Sequence, residues 1–171
     1  VFYLAISSGK TVGRIQGIIQ KQYNDIHHTA QARFTRFDSI DDQAVANALF
    51  AAIETWARER GMTELCGPLG YNDLDREGLL VEGFEENSTF EEQYNYAYYE
   101  KLICGSGYER DVDWLEYELK MPEQRNPMLS RVAHRTMELH KLHIADTNMP
   151  KRKYIEKYRE GFFDCLDECY R

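Results

Sequence analysis

The sequence of 171 residues lacks several features that would place it in familiar functional classes. No apolar run approaches the roughly 20 residues that a membrane-spanning helix needs. Basic residues are outnumbered, 21 Lys and Arg against 29 Asp and Glu, so the net charge is −8 and we expect neither a nucleic-acid nor an anionic-membrane surface. The four cysteines show no paired C-x-x-C spacing, which predicts reduced thiols in a cytoplasmic protein rather than a zinc or disulfide framework.

What the sequence does contain is a succession of strand and helix patterns around a substantial apolar fraction, 43%. Alternating apolar residues predict strands, and a 3.6-residue period predicts helices. We predict two strands within 1–20 joined at Ser8-Gly9, a polar loop at 21–29, strands at 30–37, 62–67, 112–120 and near 142–146, an irregular stretch at 68–93, and helices at 39–61, 94–104, 126–142 and 151–171. Strands that come first and then alternate with helices imply an α+β fold, with a mixed, mostly antiparallel central sheet flanked by helices.

The junction before the helix at 39–61 carries three aspartates, Asp38, Asp41 and Asp42, at a position where many α/β proteins hold a phosphate. Ser39 stands three residues before Asp42, a spacing that resembles a capping box. Acidic residues in a first helical turn also suit the helix dipole. We therefore interpret these aspartates as helix-capping residues, with an anion site as the alternative.

Both ends of the chain lie inside predicted elements. The sequence opens without Met in the strand pattern "VFYLAI" and closes in the apolar helix pattern "GFFDCLDECYR", which has no stop signal. We expect a fragment of a longer protein.

Three stretches resemble the acyl-CoA N-acyltransferase superfamily, the GNAT fold. "TVGRIQGII" is similar to its second core hairpin strand, "AIETWARERGMTEL" to its helix-then-strand unit, and "YNYAYYEKLICGSGYERDVDWLEYEL" to its last core unit. "GPLGYNDLDREGLLVEGF" followed by "YNYAYYEKL" resembles an uncharacterised bacterial group whose members carry two GNAT-like halves. The resemblance implies a GNAT-like domain at 1–146 that lacks its first strand and helices, and a linker and helix at 147–171 leading into a missing second half.

The resemblance also implies an activity, the transfer of an acyl group from acetyl-CoA or another acyl-CoA to a small amine, without a metal. A base then deprotonates the amine, and an acid protonates the leaving thiolate. Counted back from the pair Gly107-Tyr108, the family's acidic Tyr falls at Ile103. Tyr99, one helical turn earlier on the same face, is the candidate catalytic residue if the helix is displaced by a turn. The alternative is that Tyr98 and Tyr99 are core or rim aromatics. The residues implied to bind the cofactor stand at the strand–helix junction: Phe37, Gln43, Ala44 and Val45.

This junction departs from the family pattern, in which a Gln/Arg-x-x-Gly-x-Gly/Ala loop cradles the pyrophosphate. The corresponding stretch "DSIDDQAVA" has no glycine, although glycine lets backbone N–H groups approach the anion. An aspartate about 5 Å from a phosphate costs on the order of 1 to 3 kcal/mol. The alternative function is therefore a catalytically inactive half that serves as a scaffold or small-ligand-binding partner of the second half.

The predicted irregular stretch at 68–93 is long for a compact domain and rich in acids. We interpret Asp73, Asp75 and Glu77 as candidate substrate-binding residues for a cationic amine. A solvated acidic loop is the alternative, and a small-ligand sensor built on this loop is a third functional class. "DLDREG" is similar to the start of an EF-hand, but the bidentate Glu of that motif falls at Phe84, so we predict no calcium site.

The histidines do not predict a metal site either. His140 and His143 are three residues apart and share a helix face, but no third ligand is placed near them. We interpret them as surface residues.

Overall fold

The structure, a computed structural model, describes residues 1–72, 74–89 and 92–169. It divides into two compact units, residues 1–114 and the residues from 115 onward. In chain order the elements are β1 Phe2–Ser7, β2 Lys10–Ile18, α1 Lys21–His27, β3 Gln31–Ser39, α2 Gln43–Arg58, β4 Glu64–Cys66, α3 Tyr98–Gly105, α4 Pro127–His140 and α5 Lys151–Cys169. The first unit holds a four-stranded sheet in the order β1-β2-β3-β4. The predicted α+β class with a mixed, mostly antiparallel sheet is confirmed.

The sheet begins with the predicted hairpin. Strands β1 and β2 pair antiparallel, and the turn between them takes Ser8 and Gly9 to positive φ, 49° and 76°. A two-residue turn of this kind matches the twist of the two strands. Strand β3 pairs antiparallel with β2, whereas β4 runs parallel to β3 over only three residues, Gln31 to Arg33.

The pairing of β2 with β3 contains a bulge. Arg14 lies opposite Asp38, whereas Gln16 lies opposite Thr35, so β3 carries one extra residue between these pairs. Within this interval Arg36 has a φ of 50°. A bulge bends its strand and redirects the side chains beyond it, which here include Asp38.

Helix α2 covers one face of the sheet and forms the core with it. The largest fully buried side chains include Phe34 and Ile15 from the sheet and Phe50 and Ile53 from α2. The rings of Phe34 and Phe50 meet edge to face, with centroids 5.1 Å apart. Gly17 in β2 lets helix α2 lie close to the sheet, because a Cβ there would lie 2.8 Å from the Trp56 ring.

Helix α2 confirms the helix predicted at 39–61 but starts later. Asp42 is the N-cap residue, and its side chain accepts a hydrogen bond of 2.8 Å from the N–H of Ala44. Ser39 is still the last residue of β3, so the predicted capping box between Ser39 and Asp42 is wrong. The interpretation of Asp42 as a capping residue is confirmed.

Residues 21–29 are not the predicted polar loop, because Lys21–His27 form helix α1. The helix has a polar sequence, and Asn24 is its only buried residue. The Asn24 side chain donates to the carbonyl of Gln31 at 2.9 Å and accepts from the hydroxyl of Thr29 at 3.1 Å. This helix is fixed by side-chain hydrogen bonds rather than by an apolar stripe, which is why periodicity missed it.

The strands predicted at 112–120 and near 142–146 are wrong, because the structure assigns no strand to either range. Trp114, Leu115 and Leu119 are 85%, 75% and 88% exposed. Alternation predicts a strand only where a neighbouring strand can accept its backbone hydrogen bonds and cover its apolar side. Within the described ranges, residues 112–120 have no such neighbour.

The second unit contains two helices that the sequence predicted. Helix α4 starts at Pro127 after Asn126, whose side chain caps the N–H of Met128 at 3.0 Å. Helix α5 covers the last predicted helix as far as Cys169, and the end of that prediction lies outside the described residues. Neither helix has a buried residue in the part of the chain that is described.

No helix within the described ranges is both long and apolar enough to cross a bilayer.

One face of the edge strand β1 is apolar and open. Phe2, Leu4 and Ile6 alternate along it and are 60%, 59% and 66% exposed. Tyr3 and Ala5, which point to the other face, pack against the core.

Candidate functional site

A cavity of about 300 Å³ opens where β2 begins and β3 ends. It is lined by residues 11–14 of β2, by residues 38–40 at the end of β3, and by three tyrosines that precede or begin α3: Tyr96, Tyr98 and Tyr99. The strand–helix junction that the sequence singled out therefore borders this cavity.

Asp38 is the central polar group of the cavity. One carboxylate oxygen, Oδ1, accepts a hydrogen bond of 3.0 Å from the hydroxyl of Tyr99. The other, Oδ2, accepts one of 2.6 Å from Nε of Arg14. The carboxylate is 40% exposed, so it joins a strand residue and a helix residue while remaining open to solvent.

Tyr99, the candidate acid, is only 5% exposed and sits in the first turn of α3. Its ring packs edge to face against Phe37, with centroids 5.5 Å apart. Burial raises the pKa of the Tyr99 hydroxyl well above its ordinary value, and the hydrogen bond and charge of Asp38 raise it further. The hydroxyl is therefore held protonated at neutral pH.

Two further tyrosines form an aromatic wall beside this pair. The rings of Tyr96 and Tyr98 stack with centroids 5.5 Å apart and an interplanar angle of 8°. The Tyr98 hydroxyl donates to the carbonyl of Ser39 at 2.9 Å, and burial raises its pKa. Stacked rings next to a carboxylate form a suitable binding site for a cation, because ring faces and the carboxylate both attract positive charge.

The four residues implied to bind the cofactor occupy different surroundings. Phe37 is buried in the core, and Val45 packs against that core. The Gln43 side chain donates to the carbonyl of Leu102 at 2.9 Å and so ties α2 to α3. Ala44 is exposed, but its N–H is already bound by Asp42. An anion at this helix end would have to displace that carboxylate or use the neighbouring N–H groups.

The two candidate substrate-binding acids of the long loop that the structure describes, Asp75 and Glu77, do not line the cavity. Asp75 accepts a hydrogen bond of 2.7 Å from the N–H of Tyr71 and so shapes its own turn. Glu77 forms an isolated β-bridge with Glu92. Asp73 lies outside the described residues. The loop is also tied by the buried Asn95, whose Oδ1 accepts from the N–H of Leu80 at 2.7 Å.

Sequence reasoning missed the roles of Asp38 and Arg14. It grouped Asp38 with Asp41 and Asp42 as one acidic junction, although Asp38 belongs to the strand and Asp42 to the helix cap. The side chains of Arg14 and Asp38 meet because Arg14, which alternates with Gly13 and Ile15 along β2, lies opposite Asp38 in β3. The bulge in β3 hides that register from the sequence.

Metal ligands are not gathered in the part of the chain that the structure describes. No group of three or more His, Cys, Asp or Glu side chains there could hold a metal ion.

No family model matches the sequence, and no solved structure matches it. Two curated relatives are similar to about two thirds of the chain. Protein YghO from Escherichia coli (strain K12) is 30% identical over 115 residues, which are 67% of this chain and 30% of the relative. Bacterial ceramide synthase from Caulobacter vibrioides is 32% identical over 117 residues, which are 68% of this chain and 30% of the relative. The chain thus spans less than a third of the length of either relative.

Proposed function

We propose that the chain carries a GNAT-like domain that transfers an acyl group from an acyl-CoA to an amine. The observation that carries this proposal is the hydrogen bond between Tyr99 and Asp38 in the cavity beside the start of α2. It pairs a protonated hydroxyl with a carboxylate, the two functions that amide formation from a thioester requires.

The order of the elements supports the same proposal. Three antiparallel strands, β1 to β3, lead into α2 and the parallel strand β4, and α3 then brings Tyr99 to the end of β3. Apart from α1, this order agrees as far as α3 with the one that the GNAT resemblance implies, whereas the strand implied at 112–120 is not formed. Because β4 pairs with β3 only near residues 31–33, the later edge of β3 is left for the tyrosines of α3.

In the proposed reaction, Asp38 accepts a proton from the substrate ammonium, which frees the nitrogen lone pair. The nitrogen attacks the thioester carbonyl, the C–N bond forms and the C–S bond breaks. Tyr99 donates its proton to the leaving sulfur, and the nitrogen gives its second proton to the tyrosinate. Asp38 then releases the first proton to solvent, so both side chains return to their starting states. The tyrosine wall holds the cationic form of the amine before the proton is lost.

The two proton transfers are coupled through the shared hydrogen bond. The charge of Asp38 contributes to the raised pKa of Tyr99, and a phenol with so high a pKa is a poor acid toward a thiolate. Burial, the largest cause of that raised pKa, is unchanged by the reaction, but once Asp38 has taken the proton of the ammonium its charge no longer raises the pKa of Tyr99. Transfer of the ammonium proton to Asp38 thus makes Tyr99 a better acid.

The name of one relative supports N-acyl transfer as the reaction class. Ceramide is an amide of a fatty acid and a long-chain amino alcohol, so a ceramide synthase forms an amide at an amine. Because the chain spans only 30% of that relative, the acyl donor and the acceptor remain part of the proposal.

The second candidate function is an inactive half that supports a partner half of a longer chain. The observation that favours it is the start of α2, where Asp42 occupies the Ala44 N–H and no glycine opens the backbone to a pyrophosphate. The Gln43 side chain is likewise committed to α3.

The test is release of free CoA thiol by the full chain, given acetyl-CoA or a long-chain acyl-CoA with a polyamine, an amino sugar or a long-chain amino alcohol. We expect amine-dependent thiol release and a new amide identified by mass spectrometry, both lost in Asp38→Asn. Absence of turnover with every pair, together with no CoA binding in calorimetric titration, would instead support the inactive half.

A further inference from the structure

Residues 125–159, which we call the basic segment, carry a charge opposite to that of the whole chain. The segment contains nine Lys and Arg against three Asp and Glu, although the net charge of the chain is −8. The whole-chain charge, from which we expected no anionic-membrane surface, therefore conceals a strongly cationic region. Such asymmetry within one chain indicates a surface for an anionic partner.

Helix α4, inside this segment, has one apolar face. Met128, Val132 and Leu139 follow the spacing i, i+4 and i+11, and Leu129 lies beside them. Their side chains are between 53% and 72% exposed. Four large apolar side chains in one row on a surface helix normally pack against something.

Cationic side chains border that apolar face. Arg131 and Arg135 are one helical turn apart, both exposed, and form no ion pair in the part of the chain that is described. The same helix contains a single acidic residue, Glu138. An apolar row with arginines along one side suits a helix that lies in a lipid interface, with its apolar side toward the acyl chains and its cations among the phosphates.

The first half of α5 repeats this chemistry. Lys151, Arg152 and Lys153 open the helix, and Ile155 behind them is 51% exposed. Nζ of Lys157 lies 4.9 Å from the centre of the Tyr158 ring. Tyrosine and lysine together are typical of side chains that sit at the level of lipid headgroups.

From these observations we propose that the basic segment docks on an anionic phospholipid surface, with α4 lying in the plane of the interface. This goes beyond the proposed function, since it would hold for an active or an inactive domain. The apolar row favours lipid over nucleic acid as the partner. The phosphates of either can pair with arginine, but only a lipid surface has an apolar interior into which Met, Leu and Val side chains can insert.

The experiment is co-sedimentation of the full chain with vesicles of phosphatidylcholine alone and with vesicles in which about a third of the lipid is phosphatidylglycerol. We expect binding to the anionic vesicles only, weakening as salt is raised, because the attraction is screened over about 8 to 10 Å at moderate ionic strength. The double variant Arg131→Glu and Arg135→Glu should bind at least about tenfold more weakly.

A matched control changes the net charge by the same amount elsewhere. Lys10 and Lys21 are exposed residues of the first unit, and the variant Lys10→Glu with Lys21→Glu should lose much less than the arginine variant. A second variant, Leu129→Ser with Val132→Ser, tests the apolar face and should also weaken vesicle binding about tenfold. Circular dichroism of each variant shows whether the helices persist.

Several results would overturn the proposal. One is no binding to anionic vesicles at low salt, and another is an equal loss in the lysine control. Self-association that the Leu129→Ser, Val132→Ser variant abolishes would assign the apolar face to a second copy of the chain. Tighter binding to an oligonucleotide than to the vesicles would assign the cations to nucleic acid.

Discussion

The hydroxyl of Tyr99 lies 3.0 Å from Oδ1 of Asp38 and joins the start of α3 to the end of β3. A second pair, Tyr108 and Glu54, has the same chemistry at 3.1 Å, but neither of its members lines the cavity. Burial is the largest cause of the raised pKa in both tyrosines, and the charge and hydrogen bond of the carboxylate add to it. The domain thus contains its own control for any experiment on Tyr99.

The first prediction separates catalysis from packing at these pairs. Tyr99→Phe should abolish acyl transfer while CoA affinity is retained, because only the proton donor is removed. Tyr108→Phe should leave the transfer rate within about twofold of the unmodified chain. Each variant should lose about 1 kcal/mol of unfolding free energy, since each leaves one carboxylate oxygen without its tyrosine donor. Steady-state rates and urea unfolding measure the two effects, and equal loss of activity in both variants would contradict the role of Tyr99.

The second prediction concerns alkaline pH. A raised pKa means that the folded state keeps the Tyr99 proton after the unfolded chain has lost it near pH 10. Stability from this group is therefore full below about pH 10 and falls as the pH rises toward the folded pKa. Between about pH 9 and about pH 11, Tyr99→Phe should lose about 1 kcal/mol less unfolding free energy than the unmodified chain.

Urea unfolding at the two pH values measures this difference. Tyr96→Phe is its control, because Tyr96 is 63% exposed. An equal alkaline loss in Tyr99→Phe and in the unmodified chain would show that the pKa of Tyr99 is not raised.

The third prediction concerns the cap of α2. Asp42→Ala should lower the unfolding free energy by about 1 kcal/mol, because the N–H of Ala44 loses its acceptor. Asp41→Ala should change it by less than about 0.5 kcal/mol, since Asp41 is exposed and is not the cap residue. Urea unfolding of both variants is the measurement, and equal effects would mean that Asp42 acts only through its charge.

The fourth prediction returns to the missing cradle. Asp41→Gly, Asp42→Gly and Ala44→Gly together remove two like charges and free the backbone at the start of α2. We expect CoA to bind at least about tenfold tighter to a domain that is less stable by roughly 1 kcal/mol or more. Calorimetric titration at one fixed salt concentration is the test. Micromolar CoA binding by the unmodified chain would show that the aspartates do not exclude the cofactor.

The fifth prediction compares two glycines. Gly17→Ala should destabilise the first unit by about 1 to 3 kcal/mol, because its Cβ would lie 2.8 Å from Trp56 and 2.9 Å from Ile53. Gly161→Ala, within α5, meets no atom within 4 Å and should raise the helix content seen by circular dichroism. Unchanged stability in Gly17→Ala would mean that α2 can move away from the sheet.

Most of the first unit could be predicted from local patterns, and the exceptions have physical causes. The turn at Ser8-Gly9 and the stripe of α2 are local signals, so β1, β2 and α2 were correctly predicted. Helix α1 was missed because it depends on the side chain of Asn24 rather than on an apolar period. The alternation at 112–120 is as regular as that of β2, but pairing is a long-range property that one stretch of sequence does not contain.

The candidate site was only partly predictable for the same reason. Tyr99 was selected through the family resemblance, as the tyrosine one helical turn before the position of the family's acid, and it lines the cavity. Its partner Asp38 depends on the register between β2 and β3, which the extra residue in β3 shifts. In the long loop, the Asp75 side chain shapes the loop itself by accepting from the N–H of Tyr71, and composition alone does not distinguish that role from ligand binding.

The open apolar face of β1 bears on the tendency of the protein to aggregate. Edge strands with uncovered backbone groups and apolar side chains act as templates for other chains, and natural proteins commonly interrupt them with lysine. Phe2, Leu4 and Ile6 present such an edge without an interrupting charge. Concentrated solutions should therefore scatter light increasingly with time, and Leu4→Lys, a single change on the solvent side of the strand, should suppress that growth and give a sample that crystallises more readily.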